Sequence, residues 1–102
     1  MSTATPASTT FHLPGYAVRL TAVDAEAYGG IWPVRLDLND GDGWVTRPWH
    51  ALAILGGPAT QAEIETLAEY VAEIYEPEYG EDGIFHASRT ACRRLTVGDR
   101  GL

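Results

Sequence analysis

The residues of this chain best suited to chemistry are acidic, and their spacing is regular. Glu65, Glu69 and Glu73 recur every four residues. On a helix that spacing sets three carboxylates in a row about 6 Å apart along the axis. The repeat is close to that of phosphates along a nucleic-acid strand, so the row reads as an imitation of a phosphate backbone. Such a surface steers toward arginine- and lysine-lined grooves. Residues 63–82 hold Glu63, Glu65, Glu69, Glu73, Glu76, Glu78, Glu81 and Asp82 with no base, a local charge of -8, whereas residues 83–102 carry four arginines and Asp99, a charge of +3. Nearly all of the net charge of -7 therefore belongs to one segment.

A blander account of the same row is a solvated helix face. Two like-charge pairs at that spacing oppose folding by about 1 kcal/mol together, small beside a domain stability of about 5–15 kcal/mol. Arg89, Arg93 and Arg94 offer a second alternative, neutralising the row within one molecule or across two copies.

Other candidate groups fail on spacing. Asp37-Leu-Asn-Asp-Gly-Asp-Gly43 begins like a calcium loop with oxygen ligands at alternate positions. Counted from Asp37, however, the fifth position is Gly41, the glycine position is Asp42, and Pro48 stands where a bidentate glutamate belongs. An ordinary polar turn is the better reading. His12, His50, His86 and Cys92 never stand in a C-x-x-C or H-x-x-x-H relation, so no zinc site is expected. Six residues separate His86 from Cys92, an offset that turns them to different sides of a helix, and Cys92 reads as a small buried filler. Gly41-Asp-Gly43 and the two Gly-Gly pairs continue into no phosphate-binding signature. Every one of the seven bases is arginine, which removes lysine nucleophiles, Schiff bases and P-loop chemistry. No catalytic residue, metal or cofactor is expected.

The aromatic residues cluster early: Trp32, Trp44 and Trp49 lie in the first half with Tyr16 and Tyr28. Trp32 and Trp44 are expected to pair across a hairpin beneath a helix. Trp49, between Pro48 and His50, is the candidate for an exposed interface anchor.

These residues need elements to hold them. Thr60 and Glu63 form a capping box, and Ile64, Leu67, Ala68, Val71, Ile74 and Tyr75 recur at helical spacing until Pro77, which predicts a helix over 61–76. Alternation predicts strands at 16–23 and 31–38, with Trp32, Val34, Leu36 and Leu38 on one face and Arg35 and Asp37 on the other. Pro33 points to a sheet edge. Asn39-Asp-Gly-Asp-Gly43 reads as a hairpin loop leading into a strand at 44–47. Residues 48–55 read as one or two helical turns opened by Pro48, or as a continued strand. Residues 76–83 read as an acidic loop. Beyond them Ile84, Ala87, Ala91 and Leu95 line a second helix with Arg89, Arg93 and Arg94 outside, unless Thr96 and Val97 form a final strand.

The expected fold is therefore α+β. A small antiparallel sheet of about three strands, from about residues 16 to 47, is covered by the 61–76 helix and a shorter helix or strand after residue 83. Residues 1–10 read as a flexible lead without a secretion signal, and 11–102 as one domain, in keeping with a chain of 102 residues that is 45% hydrophobic. A single cysteine and no long apolar run suit a cytoplasmic protein away from membranes. The charge of -7 and pI near 4.7 argue against direct contact with nucleic acid. Abundant Ala and Gly with arginine in place of lysine suggest a GC-rich bacterial genome or its phages and plasmids.

Function follows as an expectation: a small non-enzymatic inhibitor, from a phage or other mobile element, that occupies the basic surface of a nucleic-acid-handling protein. Glu65, Glu69, Glu73, Glu76 and Glu78 supply its field and Trp49 its anchor. The alternative is a self-associating assembly module, a homodimer in which the acidic helix meets Arg89, Arg93 and Arg94 of a second copy.

Overall fold

The computed structural model describes residues 6–25, 29, 31–54 and 57–98, with 48–54 and 96–98 as backbone only. Four strands, β1 (Ser8–Leu13), β2 (Tyr16–Ala22), β3 (Ile31–Asn39) and β4 (Trp44–Ile54), form an antiparallel meander in the order β1-β2-β3-β4. Two helices follow, α1 (Gln61–Ile74) and α2 (Gly80–Gly98), joined through a 3-10 turn at Pro77–Tyr79. Both helices lie on one face of the sheet, α1 over β1 and β2 and α2 over β4, and they pack on each other. The fold is α+β, with four strands rather than the expected three.

Period-two burial explains the sheet. Val18, Leu20 and Ala22 of β2 and Val34, Leu36 and Leu38 of β3 turn toward the helices and are buried. From α1, Ile64, Leu67, Ala68 and Val71 fill the space above them, and α2 adds Ile84, Ala87, Ala91, Cys92 and Leu95. Each large member of this cluster stabilises the fold by about 1.5–3 kcal/mol through removal from water.

The start of α1 follows its sequence signature. The Thr60 hydroxyl accepts from the Glu63 N–H at 3.2 Å, and the Glu63 carboxylate accepts from the Thr60 N–H at 2.9 Å. The β3–β4 loop also follows its composition: the Asn39 side-chain oxygen accepts from Gly41 N–H at 2.8 Å and Gly43 N–H at 3.2 Å. Gly41 and Gly43 sit at φ 114° and 123°, backbone that an L side chain resists.

Several expectations are corrected. The lead does not extend to residue 10: Ser8–Leu13 is a strand, and Gln61 clamps its start by accepting from Ser8 N–H (3.2 Å) and donating to Ser8 C=O (2.9 Å). Residues 48–54 are strand, not helix. Val34 pairs with Ala51 but Leu36 with Arg47, so Arg35 opposes the three residues 48–50 in a bulge. Pro48 falls there, where a ladder bond is given up in any case. Pro33 sits in a central strand rather than an edge, just past the last β2 rung, with its carbonyl accepting from Val23 N–H at 3.2 Å. The acidic stretch expected as a loop contains the 3-10 turn and the first turn of α2. At 19 residues α2 is longer than the 14-residue α1, not shorter, and Thr96 and Val97 are helical.

Candidate functional site

Buried positions 64, 67, 68 and 71 fix the roll of α1 and leave Glu65, Glu69 and Glu73 on its exposed side. The Gln61 amide donates to the Glu65 carboxylate at 2.9 Å, a neutral partner that leaves the charge in place. Glu69 enters no ion pair among the described residues. Glu73 lies 3.5 Å from Arg94, in a contact between side chains 69% and 42% exposed, where water screens most of the attraction. Arg94 also lies over the Tyr70 ring, 5.0 Å from its centroid. Arg89 and Arg93 are exposed on α2 and form no ion pair among the described residues. The predicted row is thus assembled and, among the described residues, largely unneutralised.

Glu76 and Glu78 are exposed beyond the end of α1 and continue its acidity around the corner. There the chain forms a cavity of about 450 Å³ lined by Ile74, Glu76, Tyr79, Asp82, Gly83 and His86. Tyr79 is the most exposed large apolar side chain among the described residues, at 62%. The last turn of α1 carries no basic residue, and the start of α2 meets it at this corner. Gly83 lets the two walls approach: a Cβ there would stand 3.0 Å from the Glu76 carbonyl oxygen and 3.1 Å from Tyr79 Cβ. Sequence reasoning missed this cavity, because residues 76–83 read as a loop and a loop implies no convergence of Ile74, Tyr79 and Asp82. Glu81, in the same acidic run, is instead paired with Arg47 of β4.

The opposite face of the sheet is uncovered by helices, and a second charged cluster lies there. Asp37 is fully buried on it, with Arg19 Nε at 3.0 Å and Arg35 Nε at 3.4 Å from its Oδ2. Burial pushes this carboxyl up, but hydrogen bonds from Thr46 and Arg19 and the charges of Arg35 and Arg19 outweigh it and hold the group below its ordinary value of 3.8. Arg19 in turn stacks on Trp44, 4.3 Å from the ring centroid. Trp44 is therefore on the open face, 41% exposed, while Trp32 packs partly buried at the core, so the expected tryptophan pair does not form.

The remaining candidates are scattered. His12 lies on β1 and His86 on α2, both exposed. Burial pushes the Cys92 thiol up to about 12, which suits a packing residue and not a nucleophile. Trp49 and His50 belong to β4 by backbone course, but their side chains lie outside the described residues, as do Tyr28 and Met1–Thr5. Among the described residues no helix is long and apolar enough to cross a membrane, and no three His, Cys, Asp or Glu side chains gather as a metal site. No protein-family model matches the chain, and neither a curated protein nor a solved structure matches it.

Proposed function

We propose that this protein is a non-enzymatic binding protein that occupies the basic, nucleic-acid-holding surface of another protein. The observation that carries the reading is the row Glu65, Glu69 and Glu73, set outward on a helix opened by a capping box and met, among the described residues, by one exposed guanidinium contact at 3.5 Å. Glu76 and Glu78 extend the same field. A surface of this kind attracts a cationic groove over a Debye length of about 8 Å at physiological salt, and competes there with a polyanion. Inhibition of a nuclease or of a DNA-binding regulator is the corresponding activity. Self-pairing through Arg89, Arg93 and Arg94 has less support, since Arg94 already turns to Glu73 and Tyr70 of its own chain.

The test is capture of purified DNA-binding proteins on the immobilised chain, wild type against the Glu65→Gln, Glu69→Gln, Glu73→Gln triple variant. Wild type is expected to capture a partner that duplex DNA displaces and rising salt releases, with the triple variant losing most of that capture. Equal capture by the two chains removes the reading. Sizing at low and high salt tests the other arrangement, which requires a dimer that salt dissociates.

A further inference from the structure

We infer that the cavity between the end of α1 and the start of α2 takes an arginine side chain projecting from the protein partner. This rests on the proposed function and names the contact that anchors it. Three features converge on one occupant. Glu76 and Asp82 supply two carboxylates to its lining, acceptors for the several N–H donors that a planar guanidinium offers. Tyr79 offers an exposed ring on which a planar cation stacks. Ile74 provides an apolar wall for the methylene stem, which buries readily while its charged head stays polar.

The volume of about 450 Å³ holds one such side chain with room for water, and is small for a folded segment. Gly83 keeps the site formed in advance, because any side chain there would press on the Glu76 carbonyl and Tyr79. Tyr79 would then fill the role of aromatic anchor at the centre of an acidic surface, surrounded by contacts that exclude water. The acidic row on α1 brings the partner close, and the cavity fixes its register.

The experiment titrates the full chain with blocked arginine, N-acetyl-arginine amide, and follows backbone amide NMR shifts. Blocked citrulline serves as the neutral isostere and blocked lysine as the point charge. Shifts are expected at Tyr79, Gly83 and His86 with arginine, weaker with lysine and absent with citrulline. Tyr79→Ser should weaken the arginine effect about three- to fivefold, with Tyr79→Phe retaining it. Glu76→Gln and Asp82→Asn should each weaken it about two- to threefold. Tyr79 is largely exposed, so these variants are expected to fold as wild type does. Equal shifts from citrulline and arginine, or an arginine response unchanged in Tyr79→Ser, overturn the assignment. The outcomes separate from those of the broader reading: partner capture lost in the Glu65, Glu69, Glu73 variant but untouched in Tyr79→Ser removes the cavity and leaves the acidic surface standing.

Discussion

On the open face of the sheet Arg19 and Arg35 converge on the buried Asp37 and Trp44 covers Arg19, whereas on the outer side of α1 Glu65 and Glu69 reach water with no guanidinium bound to them among the described residues. Both regions are charged, and they differ in where the balancing charge comes from. The sheet cluster supplies its own counter-ions, so its charges serve the fold. The helix row depends on solvent ions, and an excess that the molecule leaves unbalanced is available to a partner that brings cations and releases those ions. The proposed function draws on the second region because in the first the carboxylate is already held by two guanidiniums of the same chain.

The largest effect that tests this contrast is expected at Asp37. Removing one member of a buried ionic cluster costs about 3–5 kcal/mol where the partners are also buried. Here Arg19 and Arg35 are 34% and 45% exposed and can turn to water, so Asp37→Ala should lower stability by about 2–3 kcal/mol in urea unfolding. A loss within about 0.5 kcal/mol of zero, the range of an ordinary surface change, makes the sheet cluster as dispensable as the helix row and dissolves the comparison.

Acid sharpens the same point. The folded Asp37 carboxyl titrates below its ordinary 3.8, so the unfolded chain takes up the proton first. Its contribution is complete above 3.8 and disappears as pH falls through the folded value. The stability gap between wild type and Asp37→Asn should therefore be constant from neutral pH to about 5 and close on further acidification. A gap that instead opens as pH falls contradicts a lowered carboxyl.

How legible each region is in the sequence follows from the same physics. The helix row is decided locally: a capping box, an apolar stripe and a four-residue repeat lie within one element, and α1 forms with Glu65, Glu69 and Glu73 outward as that pattern requires. The sheet cluster is not local. Alternation places Asp37 opposite Leu36 and Leu38, but its meeting with Arg19 and Thr46 depends on the register of three strands. That register includes a bulge whose proline mimics a helix start. β1 carries no local signal because Ser8, Thr9 and Thr10 resemble a polar lead, and what holds it is pairing with β2 and the Gln61 clamp, 53 residues away. The cavity at the α1–α2 junction is invisible for a related reason, since Pro77, Gly80 and Gly83 are turn signals one by one and a tight helix junction together.

Relief of repulsion gives the next effect in size. Replacing Glu65, Glu69 and Glu73 together by glutamine removes two like-charge neighbours and should raise stability by about 0.5–1 kcal/mol at low salt. At ~1 M salt, where the Debye length is about 3 Å, the gain should vanish. Lower stability in the triple variant would mean that these carboxylates are engaged in the fold as Asp37 is. A gain in stability accompanied by loss of partner capture is the pattern of residues kept for binding against a small folding cost.

Arg94 carries the smallest effect and divides the two regions most finely, because among the described residues it is the one arginine that touches the row. Its contact with Glu73 is long and open to water, and its position over Tyr70 is 5.0 Å from the ring, so Arg94→Ala should change stability by no more than about 1 kcal/mol. Its influence on binding has the opposite sign. Without that guanidinium Glu73 joins Glu65 and Glu69 as an unshielded carboxylate and the surface gains one unit of negative charge, so capture of a basic partner should strengthen modestly, most visibly at low salt. Weaker capture in Arg94→Ala would show instead that the arginine belongs to the binding surface, as self-pairing requires.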